Sequence, residues 1–156
     1  MKEDFKKYKD LFDTMDTGIV FQDEKGKIIE ANAAAVRILG YSKEQLYILN
    51  SRSKIWKTIK YDGSPFPLDE YPSNISLKTG KKVNDKVMGI YNPKLGEYRW
   101  INVNAIPEFR NGEKKPYQAI VSFCDITEQK KLNDQFFQFK KAVDFSSNAI
   151  RMYTPT

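Results

Sequence analysis

Apolar and polar positions alternate in the second half of the chain, a pattern typical of strands with one buried face. The strand-like runs cover residues 83–91, 97–109 and 116–126, and turn residues separate them at 92–96 and at Asn111-Gly112. Three such strands joined by short turns predict an antiparallel meander.

The alternation assigns the side chains of the last two strands to two faces of the sheet. One face is apolar and suits a core or a pocket: Ile101, Val103, Ala105, Ala119, Val121 and Phe123. The other is mixed and suits contact with a helix or a second subunit: Trp100, Asn102, Asn104, Ile120, Ser122 and Cys124.

The first half of the chain predicts a hairpin followed by short helices. Strands over residues 18–22 and 27–30 flank turn residues, and Asn32 is a suitable N-cap for a helix that ends at Gly40. Ser42 and Gln45 match a capping box at the start of the next helix.

The segment 50–72 predicts a loop, because prolines at 65, 67 and 72 interrupt regular structure. A short helix over residues 69–78 is expected to end at Thr79-Gly80.

Both ends of the chain predict amphipathic helices. Near the start, apolar residues are spaced three and four apart: Phe5, Tyr8, Phe12 and Met15. After Asp125, the 4-3-4 spacing of a coiled-coil seam links four more: Leu132, Phe136, Phe139 and Val143. Each helix suits either packing on its own sheet or pairing with a partner helix.

Composition and charge restrict the classes of function that this chain can have. Of 156 residues, 40% are hydrophobic, enough for one core, and 26 Lys and Arg against 20 Asp and Glu leave a net charge of +6. The charges are interspersed, without the basic stripe typical of nucleic-acid binding. No apolar run could span a bilayer, and the single Cys124 gives no sign of an oxidising compartment, so we expect a cytoplasmic domain without membrane contact.

The chain has no histidine, which removes the commonest general base and the usual haem and zinc ligand. The carboxylates Asp62, Asp69 and Glu70 lie in the predicted loop, without a phosphate-binding loop or a metal-ligand cluster near them. The sequence therefore predicts no catalysis by this chain and no metal site.

A short internal echo links the two ends of the chain. Residues 139–152 share Lys, Asp and Ile with residues 8–21 at Lys9/Lys140, Asp13/Asp144 and Ile19/Ile150. With a strand predicted over 149–153, the echo indicates that a second copy of the same domain begins near residue 146.

Four segments in order resemble the Per-Arnt-Sim (PAS) sensor family: Asp23–Asn32, Ile38–Ser42, Arg99–Pro107 and Asp125–Lys130. The Asp-Ile-Thr-Glu ending is the most specific. The resemblance implies an α+β fold, a five-stranded antiparallel sheet with helices on one face that encloses a small-molecule cleft.

The expected organisation has four parts. An N-terminal amphipathic helix covers residues 1–16, the sensor domain 17–126, an outgoing signalling helix 127–145, and the start of a second repeat 146–156.

The resemblance also indicates which cofactors of the family fit this sequence and which do not. Flavin photosensors use a cysteine in the middle of the domain, whereas Cys124 lies in the last strand, and haem sensors use a histidine. The sequence therefore disfavours flavin and haem, and leaves either an uncoloured small ligand or none.

The resemblance places such a ligand between the inner sheet face and the helical segment. Strand residues would form the floor: Met88, Ile90, Ile101, Val103, Val121 and Phe123. Trp56, Tyr71 and Asn74 would form the opposite wall, where an indole N–H, a phenol or an amide could orient a polar group. The alternative is that the apolar residues are simply core.

Two further groups follow from the same resemblance. Asp125 and Thr127 would couple the sheet to the outgoing helix by capping it. A helix or dimer interface would use eight residues: Phe5, Tyr8, Phe12, Trp100, Asn102, Ile120, Leu132 and Phe136.

Together, these expectations describe a sensory module. It would respond to ligand binding or to the state of a partner and pass that signal to a downstream effector of the histidine kinase or diguanylate cyclase type. The alternative is a ligand-free dimerisation or relay module in a tandem array. A homodimer is expected under both hypotheses.

Overall fold

The computed structural model describes the backbone of residues 1–152 and the side chains of residues 1–148. The described chain forms two compact units, Met1–Asp125 and the residues from Ile126 onward.

The first unit contains a six-stranded antiparallel sheet in the order β2-β1-β6-β5-β4-β3. The strands are β1 Gly18–Asp23, β2 Ile28–Ala31, β3 Thr58–Ile59, β4 Val83–Asn92, β5 Glu97–Glu108 and β6 Gln118–Asp125. The predicted hairpin and meander are confirmed, but the expected count of five strands is one short. The additional strand, β3, pairs Thr58 with Ile90 and Ile59 with Gly89 inside the segment predicted as loop. Two residues are too few to leave an alternating pattern.

Five α-helices and one 3-10 turn complete the fold. The helices are α1 Lys2–Thr14, α2 Ala33–Leu39, α3 Lys43–Tyr47, α4 Pro72–Thr79 and α5 Thr127–Met152, with the 3-10 turn at Leu68–Glu70. The helix predicted over 69–78 is thus divided, because Pro72 lacks an N–H and begins α4 as its first residue.

The predicted helix boundaries around α2 and α3 are confirmed in atomic detail. Asn32 accepts a hydrogen bond from the Ala35 N–H, and Gly40 ends α2 in the left-handed conformation that glycine adopts without strain. Ser42 and Gln45 form the reciprocal capping box of α3.

Asn32 does more than cap α2. It is fully buried, and its Oδ1 also accepts from the Ile19 N–H at 2.9 Å, while Nδ2 donates to the carbonyls of Phe12 and Thr17. These four bonds join the end of α1, β1 and α2 around one side chain.

The core lies between the inner sheet face and the helices α2 and α4. All six residues assigned by alternation to the inner face of β5 and β6 are buried, whereas those assigned to the outer face are half-buried or exposed. Leu46 of α3 is completely buried and belongs to this core.

The second unit is the helix α5. The strand predicted over 149–153 is wrong as far as Met152, because the helix continues to that residue, and Tyr153 lies outside the described residues. The second repeat predicted from residue 146 stays a prediction.

Candidate functional site

A cavity of about 80 Å³ lies between the inner sheet face and the segment that carries β3 and α4. Eight of the nine residues predicted to bind a ligand line it: Trp56, Tyr71, Met88, Ile90, Ile101, Val103, Val121 and Phe123. The geometry thus brings the predicted floor and most of the predicted wall together.

Asn74 is the exception, since it does not line the cavity. Its Oδ1 accepts from the Ser51 hydroxyl at 2.6 Å, and its Nδ2 donates to the Leu68 carbonyl at 2.9 Å. Ser73 lines the cavity, and one residue further along α4 the side chain has turned by about 100° toward a different surface.

Trp56 lines the cavity with its ring, but its indole N–H is already engaged. Nε1 donates to the Asn50 carbonyl at 2.8 Å, and the ring packs edge-on against Tyr41 with centroids 5.4 Å apart. This bond occupies the N–H that was expected to orient a ligand, so its predicted role with a ligand stays a prediction that would require the bond to Asn50 to break.

Tyr71 carries a polar group into the cavity wall. Its hydroxyl lies 2.7 Å from the Thr58 hydroxyl, which also reaches the Phe66 carbonyl. Burial raises the pKa of Tyr71, and the hydrogen bond with Thr58 opposes this shift. The phenol therefore stays protonated and its orientation is held by Thr58.

Gln22 of β1 is a polar residue of the cavity that our sequence interpretation missed. It is 6% exposed, lines the cavity, and its Oε1 has no hydrogen-bond partner within the described part of the chain. A buried amide oxygen without a partner costs about 1–3 kcal/mol. The sequence contained a signal for the position of Gln22, because alternation in β1 places it on the same face as Val20.

Three other polar residues line the cavity, Ser51, Thr58 and Ser73. Ser51 and Thr58 belong to the irregular segment, where no periodicity indicates which side chains point inward. None of the residues that line the cavity carries a formal charge.

Several side chains on the outer face of the sheet find their stacking and hydrogen-bond partners within the first unit. Trp100 stacks on Tyr61 with ring centroids 5.3 Å apart. Asn102 donates to the Asp85 carboxylate at 3.1 Å, and Asn104 accepts from the Asp85 N–H at 2.9 Å. These bonds brace a bulge in β4, where Asp85 has a φ of 55°.

Other residues predicted for an interface differ in exposure. Phe5 and Tyr8 of α1 are exposed, as are Leu132 and Phe136 of α5, whereas Ile120 is half-buried. Phe12 is half-buried and packs edge-on against Phe21, with ring centroids 6.2 Å apart.

Asp125 is the last residue of β6, and Thr127 is the first of α5. The Asp125 carboxylate accepts from Arg99 Nε at 2.9 Å, and Arg99 also pairs with Glu97. Burial alone would lower the pKa of Arg99, but the hydrogen bonds that it donates to Asp125 and Glu97 raise it overall. The ion pair therefore joins the ends of β5 and β6.

No cluster of three potential metal ligands occurs among the described residues. None of the described helices is long and apolar enough to cross a membrane.

Comparison with known proteins supports the fold. Residues 6–76 match the family model of the PAS domain. A PAS domain from a two-component sensor histidine kinase is 14% identical, with a TM-score of 0.58, and the match covers 80% of this chain and 97% of that one. The PAS domain of an HTR-like protein from Haloarcula marismortui is 15% identical, with a TM-score of 0.57, and coverages of 80% and 93%.

An RNA-binding light-oxygen-voltage receptor is 20% identical, with a TM-score of 0.62, and the match covers 87% of this chain and 37% of that one. A search of curated proteins gave no match. The fold is the α+β fold of PAS domains. The resemblance seen in the sequence is confirmed: residues 6–76 match the PAS family model, and the chain has the fold of PAS domains of known structure.

Proposed function

We propose that this chain is a sensory module in which the inner cavity binds a small neutral molecule that donates a hydrogen bond to Gln22. PAS domains are sensory modules of signal-transduction proteins, and the module itself is not catalytic. The observation that carries the proposal for this chain is the unpartnered Gln22 oxygen in a cavity with apolar walls.

The cavity supports a ligand of a few non-hydrogen atoms. Its 80 Å³ is about half the volume of an engineered cavity that binds benzene. The apolar walls favour a compact carbon skeleton, and Gln22 supplies an acceptor for one hydroxyl or amide group. Without a lining Lys or Arg, nothing there would neutralise a carboxylate.

The signal would leave through the end of the sheet. Val121 and Phe123 line the cavity, and β6 ends two residues later at Asp125, which is bound to Arg99. We propose that a ligand that shifts β6 alters the Asp125 and Thr127 junction and so the outgoing helix. The effector downstream would be a histidine kinase or diguanylate cyclase.

Mass spectrometry of the freshly purified, denatured protein tests for a co-purifying small molecule. A thermal-shift screen of small alcohols and amides then compares the native chain with Gln22→Leu. We expect a ligand-dependent rise in Tm that Gln22→Leu abolishes. Gln118→Leu is the matched control, because Gln118 lies in the neighbouring strand outside the cavity and bonds to Glu108.

A shift that survives Gln22→Leu would contradict the proposed role of Gln22. An empty protein that no compound of the screen stabilises would contradict the ligand proposal. An ordered water bonded to Gln22 in a high-resolution structure, with no ligand response, would have the same meaning.

A second candidate is the ligand-free dimerisation or relay module, which the exposed seam of α5 favours. Leu132, Phe136 and Phe139 are each about two-thirds exposed. Light scattering at high micromolar concentration should show a dimer that Phe136→Ser weakens. Phe137→Ser is the control, since Phe137 is equally exposed but lies outside the seam. A monomer in the native chain would contradict the dimer.

A further inference from the structure

A groove of about 420 Å³ on the surface of the first unit gathers basic side chains from four separate segments. Lys25 lies in the β1–β2 turn, Arg52 in the segment before β3, Lys78 on α4, and Lys115 in the β5–β6 connection. These positions are distant in sequence, so no basic run in the sequence indicates the groove.

The four cations have no ion-pair partner among the described residues. Each is exposed, and Glu24 is the one acidic residue among those that line the groove. Elsewhere lysines do find carboxylates, as in the pairs of Lys43 with Asp13 and of Lys60 with Glu70. The ratio of four cations to one carboxylate compares with 26 to 20 for the whole chain.

The concave shape of the groove increases the attraction that this excess of positive charge exerts on anions. Cations around a cleft with low-dielectric walls reinforce one another's potential and raise the local concentration of anions. Phosphate oxygens suit such a cluster, because Lys and Arg donate charge-assisted hydrogen bonds to them. A single carboxylate would neutralise one of the four cations, whereas a diphosphate can engage several.

The shape indicates a compact anion. An extended polymer such as nucleic acid is recognised by a stripe of basic residues along a surface, while these four cations surround one depression of a size typical of small-molecule sites. We propose that the groove is a binding site for the diphosphate group of a small molecule, distinct from the inner cavity.

A hydrogen bond connects a residue that lines the cavity to one that lines the groove. Ser51 lines the cavity, Asn74 lines the groove, and the Ser51 hydroxyl donates to Asn74 Oδ1 at 2.6 Å. The groove proposal does not depend on a ligand in the cavity, because none of its four cations lines that cavity.

Isothermal titration with sodium pyrophosphate at low ionic strength tests the site. We expect one equivalent to bind, and the double variant Arg52→Ala/Lys115→Ala to weaken binding by about tenfold or more. The matched control is Lys86→Ala/Lys94→Ala, which removes the same charge from exposed positions outside the groove. It should change the affinity by less than about twofold.

Two additional ligands distinguish the sources of the anion. ADP binding more tightly than pyrophosphate would assign the site to a phosphorylated organic molecule, and equal affinities would assign it to the diphosphate alone. Amide shifts in an NMR titration should appear at residues 24–26, 52, 78 and 115.

The proposal would be overturned by equal weakening in the groove and control variants, which indicates diffuse attraction by the net charge. It would also be overturned if acetate competed as well as pyrophosphate, or if a single-stranded oligonucleotide bound more tightly than either phosphate with the same loss in the groove variant.

Discussion

The Ser51–Asn74 hydrogen bond links a residue of the inner cavity to a residue of the basic groove, yet the two sites are built in opposite ways. The floor of the cavity is formed by strand residues at alternate positions, and the cavity contains one amide oxygen without a hydrogen-bond partner among the described residues. The groove is lined by exposed basic side chains on turns and a helix, and these four cations have no ion-pair partner within the described part of the chain. One site is part of the core, and the other is attached to its surface.

The difference has energetic consequences. Residues of the cavity wall contribute to the stability of the fold, because they remove apolar area from water. Residues of the groove can change with little effect on stability, since exposed charges contribute little to it. Substitutions on the two sides should therefore separate stability from binding.

The largest expected effect is at the floor of the cavity. Phe123 is 3% exposed and lines the cavity, so Phe123→Ala should lower the free energy of unfolding by about 3–5 kcal/mol. Urea unfolding followed by circular dichroism measures this. Ser122→Ala, on the opposite face of the same strand, should change stability by less than about 0.5 kcal/mol. Similar losses in both variants would show that the two faces of the sheet are not distinct.

The floor of the cavity could be predicted from the sequence because a period of two determines which side chains share a face. Alternation alone assigned Ile101, Val103, Val121 and Phe123 to the buried side, and all four line the cavity. The same rule extends to Gln22, which stands two residues after Val20.

The wall was harder to predict, because it comes from the segment between residues 50 and 73. Asn74 was expected there and Ser73 was not, although the two residues are adjacent in sequence. Short helices that follow a loop have no long pattern that determines their rotation. The strand β3 was missed for the same reason, since two residues cannot show a period.

The groove could not be predicted from local patterns. Lys25 and Lys115 approach each other because β1 pairs with β6, and that pairing brings the turns next to these strands to the same end of the sheet. Their proximity is a property of strand order. A basic cluster of this kind becomes visible once the topology is known.

A smaller effect is expected at the polar edge of the cavity. Tyr71→Phe removes the hydrogen bond to Thr58 and should lower the free energy of unfolding by about 1 kcal/mol at pH 7. The variant also tests the pKa of Tyr71, which burial raises above its ordinary value.

The sign of the pH dependence follows from that shift. The folded protein holds the Tyr71 proton at a pH where the unfolded chain releases it, so stability falls as the pH rises above about 10. Urea unfolding between pH 9 and about 11 should show a shallower fall for Tyr71→Phe than for the native chain. Some slope should remain, because burial also raises the pKa values of Tyr41 and Tyr47.

Thr58→Val provides the opposite test. The Thr58 hydrogen bond lowers the pKa of Tyr71, so its loss should raise that pKa further and steepen the fall in stability at high pH. If Thr58→Val and Tyr71→Phe change the slope in the same direction, Tyr71 is not the group responsible.

The smallest effect belongs to the groove, and its sign is informative. Arg52 and Lys115 are exposed and have no ion-pair partner among the described residues, so Arg52→Ala and Lys115→Ala should each change stability by less than about 0.5 kcal/mol in the absence of anions. If the cations repel one another, the change is a gain, because each substitution relieves repulsion in the cluster. Added sodium chloride screens that repulsion, so the gain should shrink as the salt concentration rises.

Pyrophosphate should reverse the order of stability between the native chain and the variants, since an anion that binds the folded protein stabilises the native chain more than the variants. A loss above about 1 kcal/mol without anions would instead make these side chains part of the structural framework, and the contrast between cavity and groove would not hold.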